Sequence, residues 1–126
     1  MTTPLQKPGR SVQVVQTPPE FLAAVKRRLR IKDFCIDLAA NNDNSVAQVC
    51  IDCDEDALTR TWARDIKTGQ WAWLNPPYAH IKDWVRKACH EKDSLSNYAG
   101  ICVLLPASVG SNWWARYVDR QCRVLL

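Results

Sequence analysis

The chain has 126 residues, 47% hydrophobic and 24% charged, with a formal net charge of +4, which bounds it to one hydrophobic core and excludes both a disordered polymer and two ordinary domains. No stretch approaches the roughly 20 consecutive apolar residues that cross a bilayer, and the start, Met1 to Arg10, has no apolar leader core, so a cytosolic protein is expected. The charge is uneven: Lys7, Arg10, Lys26, Arg27, Arg28, Arg30 and Lys32 face only Glu20 within residues 1–32, and acids outnumber bases in the remainder.

Residues 1–16 carry prolines, a glycine and scattered polar residues without a helical period, and read as a flexible arm before a single domain over 17–126. Thr17, Pro18 and Glu20 then announce a helix start, Thr17 as cap, Pro18 in the first turn and Glu20 closing a capping box. Phe21, Leu22, Val25 and Leu29 fall on one face at helical spacing. The basic run Lys26, Arg27, Arg28 and Arg30 suits a helix C-terminus, where the dipole favours cations. It is also a candidate phosphate-contacting patch, because nucleic-acid binders concentrate charge this way.

Asp33 to Ala40 reads as a buried strand breaking at Asn41-Asn42-Asp43-Asn44, and Ala47 to Ile51 as a second short strand running into Asp52, Asp54, Glu55 and Asp56. A carboxylate such as Asp37, ending an apolar strand, is expensive to bury without a partner, so it either faces a ligand or is exposed. Six cysteines without a secretory leader read as reduced thiols. Cys50 and Cys53 have C-x-x-C spacing, but a zinc site needs two more ligands and no second pair is present, so no metal is expected.

Ala57 to Ile66 is weakly helical or irregular, and Lys67 to Gln70 a turn. The apolar run Trp71 to Leu74 reads as a strand entering Asn75-Pro76-Pro77-Tyr78. An amide acceptor, two stiffening prolines and an aromatic ring are the parts needed to hold an extruded base by its exocyclic amine; the bland alternative is a strand ending in a rigid turn with Tyr78 plugging the core. Ile81, Trp84, Val85, Ala88 and Cys89 then make the most regular amphipathic helix in the chain. Gly100 to Leu105 is an apolar run of the kind covered on both faces in a parallel sheet. Pro106 stops it. A further helix is expected through Trp113, Trp114, Tyr117 and Val118, burying the two adjacent indoles unequally, and Cys122 to Leu126 begins another strand. Most of the six tryptophans should be core residues.

Strands alternating with helices argue for an α/β sheet with parallel neighbours, whose ligands gather at the carboxyl ends of the strands. Asp37, Asp52 and Asn75 would all lie there. The ordered set Thr17-Pro18-Pro19-Glu20-Phe21, Phe34 to Ala40 with Asn44 to Ala47, Leu58 and Trp62, Trp73 to Tyr78 with Trp84-Val85, and Val103 to Ala107 with Trp113-Trp114 resembles the phage-type, Dam-like DNA adenine-N6 methyltransferases. This resemblance implies a Rossmann-like, S-adenosylmethionine-dependent methyltransferase sheet with flanking helices, lacking the last strands. It implies methyl transfer to N6 of adenine in double-stranded DNA, with Asn75, Pro76, Pro77 and Tyr78 catalytic. Thr17, Pro18, Asp37, Leu38, Ala39 and Ala40 would line the cofactor pocket, and Asp52 or Asp54 would hold the cofactor ribose. An inactive relative that binds DNA or a protein partner is the alternative. The pattern departs in having alanines rather than a glycine-rich turn after the first strand, and a partner could complete the sheet beyond Leu126.

Overall fold

The computed structural model describes residues 17–40, 44–51, 56–95 and 99–123. The expected arm 1–16, the acidic candidates Asp52 and Asp54, Cys53 and the terminal Val124 to Leu126 lie outside these residues. The architecture is mixed α/β. In chain order come α1 (Pro19–Leu29), β1 (Ile36–Asp37), β2 (Trp71–Leu74), α2 (Ile81–Lys92) and β3 (Gly100–Val103), then a π-helical turn, Trp114–Val118. The strands form a parallel sheet in the order β1, β2, β3.

Helix α1 starts one residue later than the capping box predicts. Pro19 disfavours a helical conformation in the residue before it, so Pro18 (φ −56, ψ 136) becomes the N-cap and no side chain caps the helix. The amides of Phe21 and Leu22 are satisfied instead by the Pro18 carbonyl, each at 3.1 Å. At the other end Arg30 is left-handed (φ 59, ψ 44), and the amides of Arg30 and Ile31 donate to the carbonyls of Arg27 and Lys26. That is a Schellman closure built without glycine. None of the residues of α1 is buried, and Phe21 stays 43% exposed, so its apolar face is not part of the core.

β1 is shorter than its apolar run suggests. The carboxylate of Asp37 accepts from the amides of Ala39 (3.2 Å) and Val46 (3.1 Å), which turns the chain out of the ladder directly after the strand. The run Ala47 to Ile51 likewise contributes only a parallel bridge, Cys50 to Asp37, secured by Asp37 N–H to the Val49 carbonyl (2.9 Å) and Ile51 N–H to the Asp37 carbonyl (2.8 Å). Across the sheet the order is therefore residues 49–51, β1, β2, β3.

β2 is the central strand and its Ala72, Trp73 and Leu74 are buried. β3 is less covered than expected: Ile101, Cys102 and Val103 are only half-buried, because among the described residues β3 pairs with β2 alone and ends the sheet. The Trp71 ring lies over Gly100, its partner in register, so closely that a Cβ there would stand 2.5 Å from the indole. Trp73 packs on Phe34, ring centroids 5.2 Å apart. Trp62, fully buried, stacks on Trp84 of α2 at 6.4 Å and donates from Nε1 to the Ala57 carbonyl. Core burial thus holds for Trp62, Trp73 and Trp84, whereas Trp71 is half-buried. Trp113 and Trp114, at the start of the π turn, are both partly buried, with ring centroids 5.9 Å apart.

Candidate functional site

The β2–β3 ladder runs to the last residue of β2, where the Leu104 amide donates to the Leu74 carbonyl at 2.9 Å. It stops there because the next two positions after Asn75 are prolines with no amide to donate. Pro76 is fully buried and pins the turn. Pro77 is extended (φ −60, ψ 132), and a 3₁₀ turn, Tyr78–His80, leads directly into α2. Tyr78 is 49% exposed, which rules out the reading of its ring as a core plug.

Asn75 Oδ1 is shielded from solvent and, among the described residues, has no hydrogen-bond partner. Such an orphan is uncommon, since a buried acceptor left unpaired costs about 1–3 kcal/mol. Dry surroundings also make it a strong acceptor for any donor that arrives, because no water competes.

Asp37 and Asn75 leave adjacent strands at the same end of the sheet. Asp37 registers with Trp73, and the Leu38 amide donates to the Trp73 carbonyl at 2.9 Å. From β1 the chain goes to residues 49–51 on one side, then returns to β2 on the other, so the carboxyl ends of β1 and β2 flank the point where the strand order reverses. Crevices at such points are the usual ligand sites of open α/β sheets. The Asp37 side chain is buried, not exposed: at 3% exposure it holds the loop after β1 through the Ala39 and Val46 amides. Burial pushes its carboxyl above the ordinary range, and those two amide bonds oppose the shift. Ser45 adds a second brace, its hydroxyl donating to the Ala47 carbonyl at 2.6 Å. Leu38 and Ala40 are buried and Ala39 half-buried in the same loop. Thr17 and Pro18 sit at the entry to α1.

Lys26 is engaged by Asp33, Nζ to Oδ1 3.6 Å, while Arg27, Arg28 and Arg30 are exposed. Asp33 precedes β1, so this basic end lies on the amino-end side of the sheet, opposite Asn75. Cys50 is half-buried. Among the described residues no group of three His, Cys, Asp or Glu side chains could hold a metal ion, and no helix is long and apolar enough to cross a membrane.

The feature that sequence reasoning missed is the support of α2. Glu91 accepts the backbone amide of Trp62 while Lys87 bridges to Glu91 at 3.7 Å and stands 5.5 Å over the Trp62 ring. Lys87 and Glu91 are spaced i, i+4, a signal that first suggests only a surface pair; their burial of three quarters or more could not be read from spacing. This latch fixes α2, which continues the turn carrying Asn75 and Tyr78.

The family model described as DNA N-6-adenine-methyltransferase (Dam) matches residues 6–125. A DNA N-6-adenine-methyltransferase of Escherichia phage T1 is 30% identical over 109 residues, covering 86% of this chain and 42% of the relative, so the chain spans about two fifths of that protein's length. No solved structure matches it significantly. With the Asn75 to Tyr78 turn at the carboxyl end of the central strand, and with nearly the whole chain matched, the protein belongs to the DNA N-6-adenine-methyltransferase (Dam) family.

Proposed function

We propose that the chain adopts a Rossmann-like methyltransferase sheet and transfers a methyl group from S-adenosylmethionine to N6 of adenine in double-stranded DNA. The observation that carries this reading is the shielded, unpartnered Oδ1 of Asn75 in the same short turn as the exposed ring of Tyr78. Adenine N6 is a weak nucleophile because its lone pair is delocalised into the ring. An enzyme must draw the amine toward tetrahedral geometry, and two acceptors aimed at its two hydrogens do so. Asn75 Oδ1 is one. The carbonyl oxygen of Pro76 is the other, in a turn that the buried proline ring keeps rigid. Tyr78 stacks on the extruded base and recovers part of an unstacking cost of a few kcal/mol.

The residues present suit a sulfonium nucleotide cofactor at the switch point between β1 and β2. Asp37 fixes the loop through two backbone amides, and Leu38, Ala39 and Ala40 of that loop would line the cofactor pocket. Thr17 and Pro18 would flank its methionine part, and Asp52 or Asp54 its ribose. When bound, it supplies an electrophilic methyl group. Arg27, Arg28 and Arg30 offer a positive surface to phosphates away from the target base. The test is incubation of purified protein with radiolabelled S-adenosylmethionine and unmethylated duplex, followed by nucleoside analysis. Label in N6-methyladenine supports the proposal; cofactor binding with no label in DNA, in this chain and in a form extended past Leu126, refutes it.

A further inference from the structure

We infer that the DNA strand carrying the target adenine is held by its phosphates along the outer ridge of α2, through Lys82 and Arg86. This rests on the adenine-methyltransferase reading and names the surface that positions its substrate. Helix α2 leaves the catalytic turn directly, since its first residue, Ile81, follows the Tyr78–His80 turn. Its inner side buries Trp84 and Val85. Lys82, Arg86 and His90 are all exposed and fall at i, i+4 and i+8, one ridge of the opposite side. Successive members stand about 6 Å apart along the axis, close to the spacing of phosphates along one strand. Because α2 connects the carboxyl end of β2 to the amino end of the parallel β3, Lys82 lies at the Asn75 end of the ridge and Arg86 one turn further along it, in line for the phosphates that flank an adenine entering there.

Lys82 and Arg86 combine two properties, being uncommitted and lying on the helix that follows directly from the Asn75 to Tyr78 turn. Lys26 is held by Asp33, Arg60 by Asp65, Lys87 by Glu91 and the Trp62 ring, and Lys92 by Asp93. Among the described residues neither Lys82 nor Arg86 has an ion pair or hydrogen bond, so binding a phosphate breaks nothing. Asp83, also exposed at the start of α2, follows Lys82 directly in the chain and reduces the local field. The exposed arginines at the end of α1 lie on the amino-end side of the sheet. Lys67, in the turn that enters β2, is also exposed at the amino ends and serves as a control.

The experiment is equilibrium binding of the full chain to a duplex containing adenine, read as log affinity against log salt, for the parent, Lys82→Gln/Arg86→Gln and Lys67→Gln. Near-identical circular dichroism and melting establish that the exposed substitutions leave the fold intact. Loss of two phosphate contacts makes the slope less negative by about 1.8, so between 50 and 200 mM salt the parent loses roughly tenfold more affinity than the double variant. Lys67→Gln should leave the slope unchanged, and Asp83→Asn should tighten binding. A double variant with the parent's slope, in a protein that methylates adenine, overturns the α2 contact and leaves the activity standing. A parent that binds DNA and never methylates it, with the slope still reduced in the double variant, overturns the activity and leaves the contact standing. A parent that binds no duplex overturns both.

Discussion

Replacing Asn75 by alanine should separate stability from activity in a direction opposite to most substitutions. The side-chain oxygen is shielded and unpartnered, and a buried acceptor in that state costs about 1–3 kcal/mol. Removing it relieves that cost while giving up the packing of a short polar side chain, on the order of 1 kcal/mol. The net expectation is a gain of about 0–2 kcal/mol. For a domain of this size each kcal/mol moves the melting midpoint by roughly 3–5 °C, so the variant should melt at or several degrees above the parent. Methyl transfer should fall about 10²–10³-fold, the loss typical of one preorganised hydrogen-bonding group acting in the transition state. Asn75→Asp should do the reverse, keeping an acceptor oxygen and part of the activity while losing stability, because an ionised carboxylate is costly in a dry site. Thermal melts and single-turnover methylation with labelled cofactor read both quantities. Full activity in Asn75→Ala refutes the catalytic role, and a loss of more than about 2 kcal/mol would mean that the oxygen is paired in the folded protein.

Three further outcomes follow from the geometry. Gly100→Ala places a Cβ 2.5 Å from the Trp71 ring and should cost about 1–3 kcal/mol in chemical denaturation, with partial recovery when Trp71→Leu is added; an additive double mutant would refute the contact. Arg30→Gly relieves a left-handed non-glycine residue and should stabilise by about 1 kcal/mol, whereas Arg30→Ala should not. The carboxyl of Asp37 has a folded pKa raised above its ordinary 3.8, first by burial. The folded state therefore holds that proton more tightly than the unfolded state, and the stabilisation present below pH 3.8 is lost as pH rises through the higher folded value. Asp37→Asn should remove this part of the pH dependence of stability. An unchanged profile would refute the assignment.

Much of the site was legible because its signals are local. The two prolines after Asn75 dictate a rigid strand end whatever surrounds them, and the i, i+3, i+4 spacing from Ile81 to Cys89 defines α2 without reference to a partner. Asp37 was read only halfway. Its position at the end of an apolar run was visible, but its two amide donors are Ala39 and Val46, and nothing in the spacing distinguishes a carboxylate that grips its own loop from one that faces a ligand. Thr17 misled because the capping-box pattern ignores the effect of Pro19 on Pro18. The apolar face of α1 misled for a different reason: periodicity reports a capacity to be buried, and α1 has no buried residue. The latch of Glu91 on Trp62 joins positions 29 residues apart, a pairing that only the folded chain brings about.

That latch couples the chemistry to a remote pair of indoles. Among the described residues no hydrogen bond holds the Tyr78 side chain, and the turn leads directly into the helix that Trp62, Trp84, Lys87 and Glu91 clamp in place. Trp62 and Trp84 belong to the same buried cluster as Ile36, Ala72 and Leu74 of the sheet, so on warming the turn should keep its orientation until the core itself gives way.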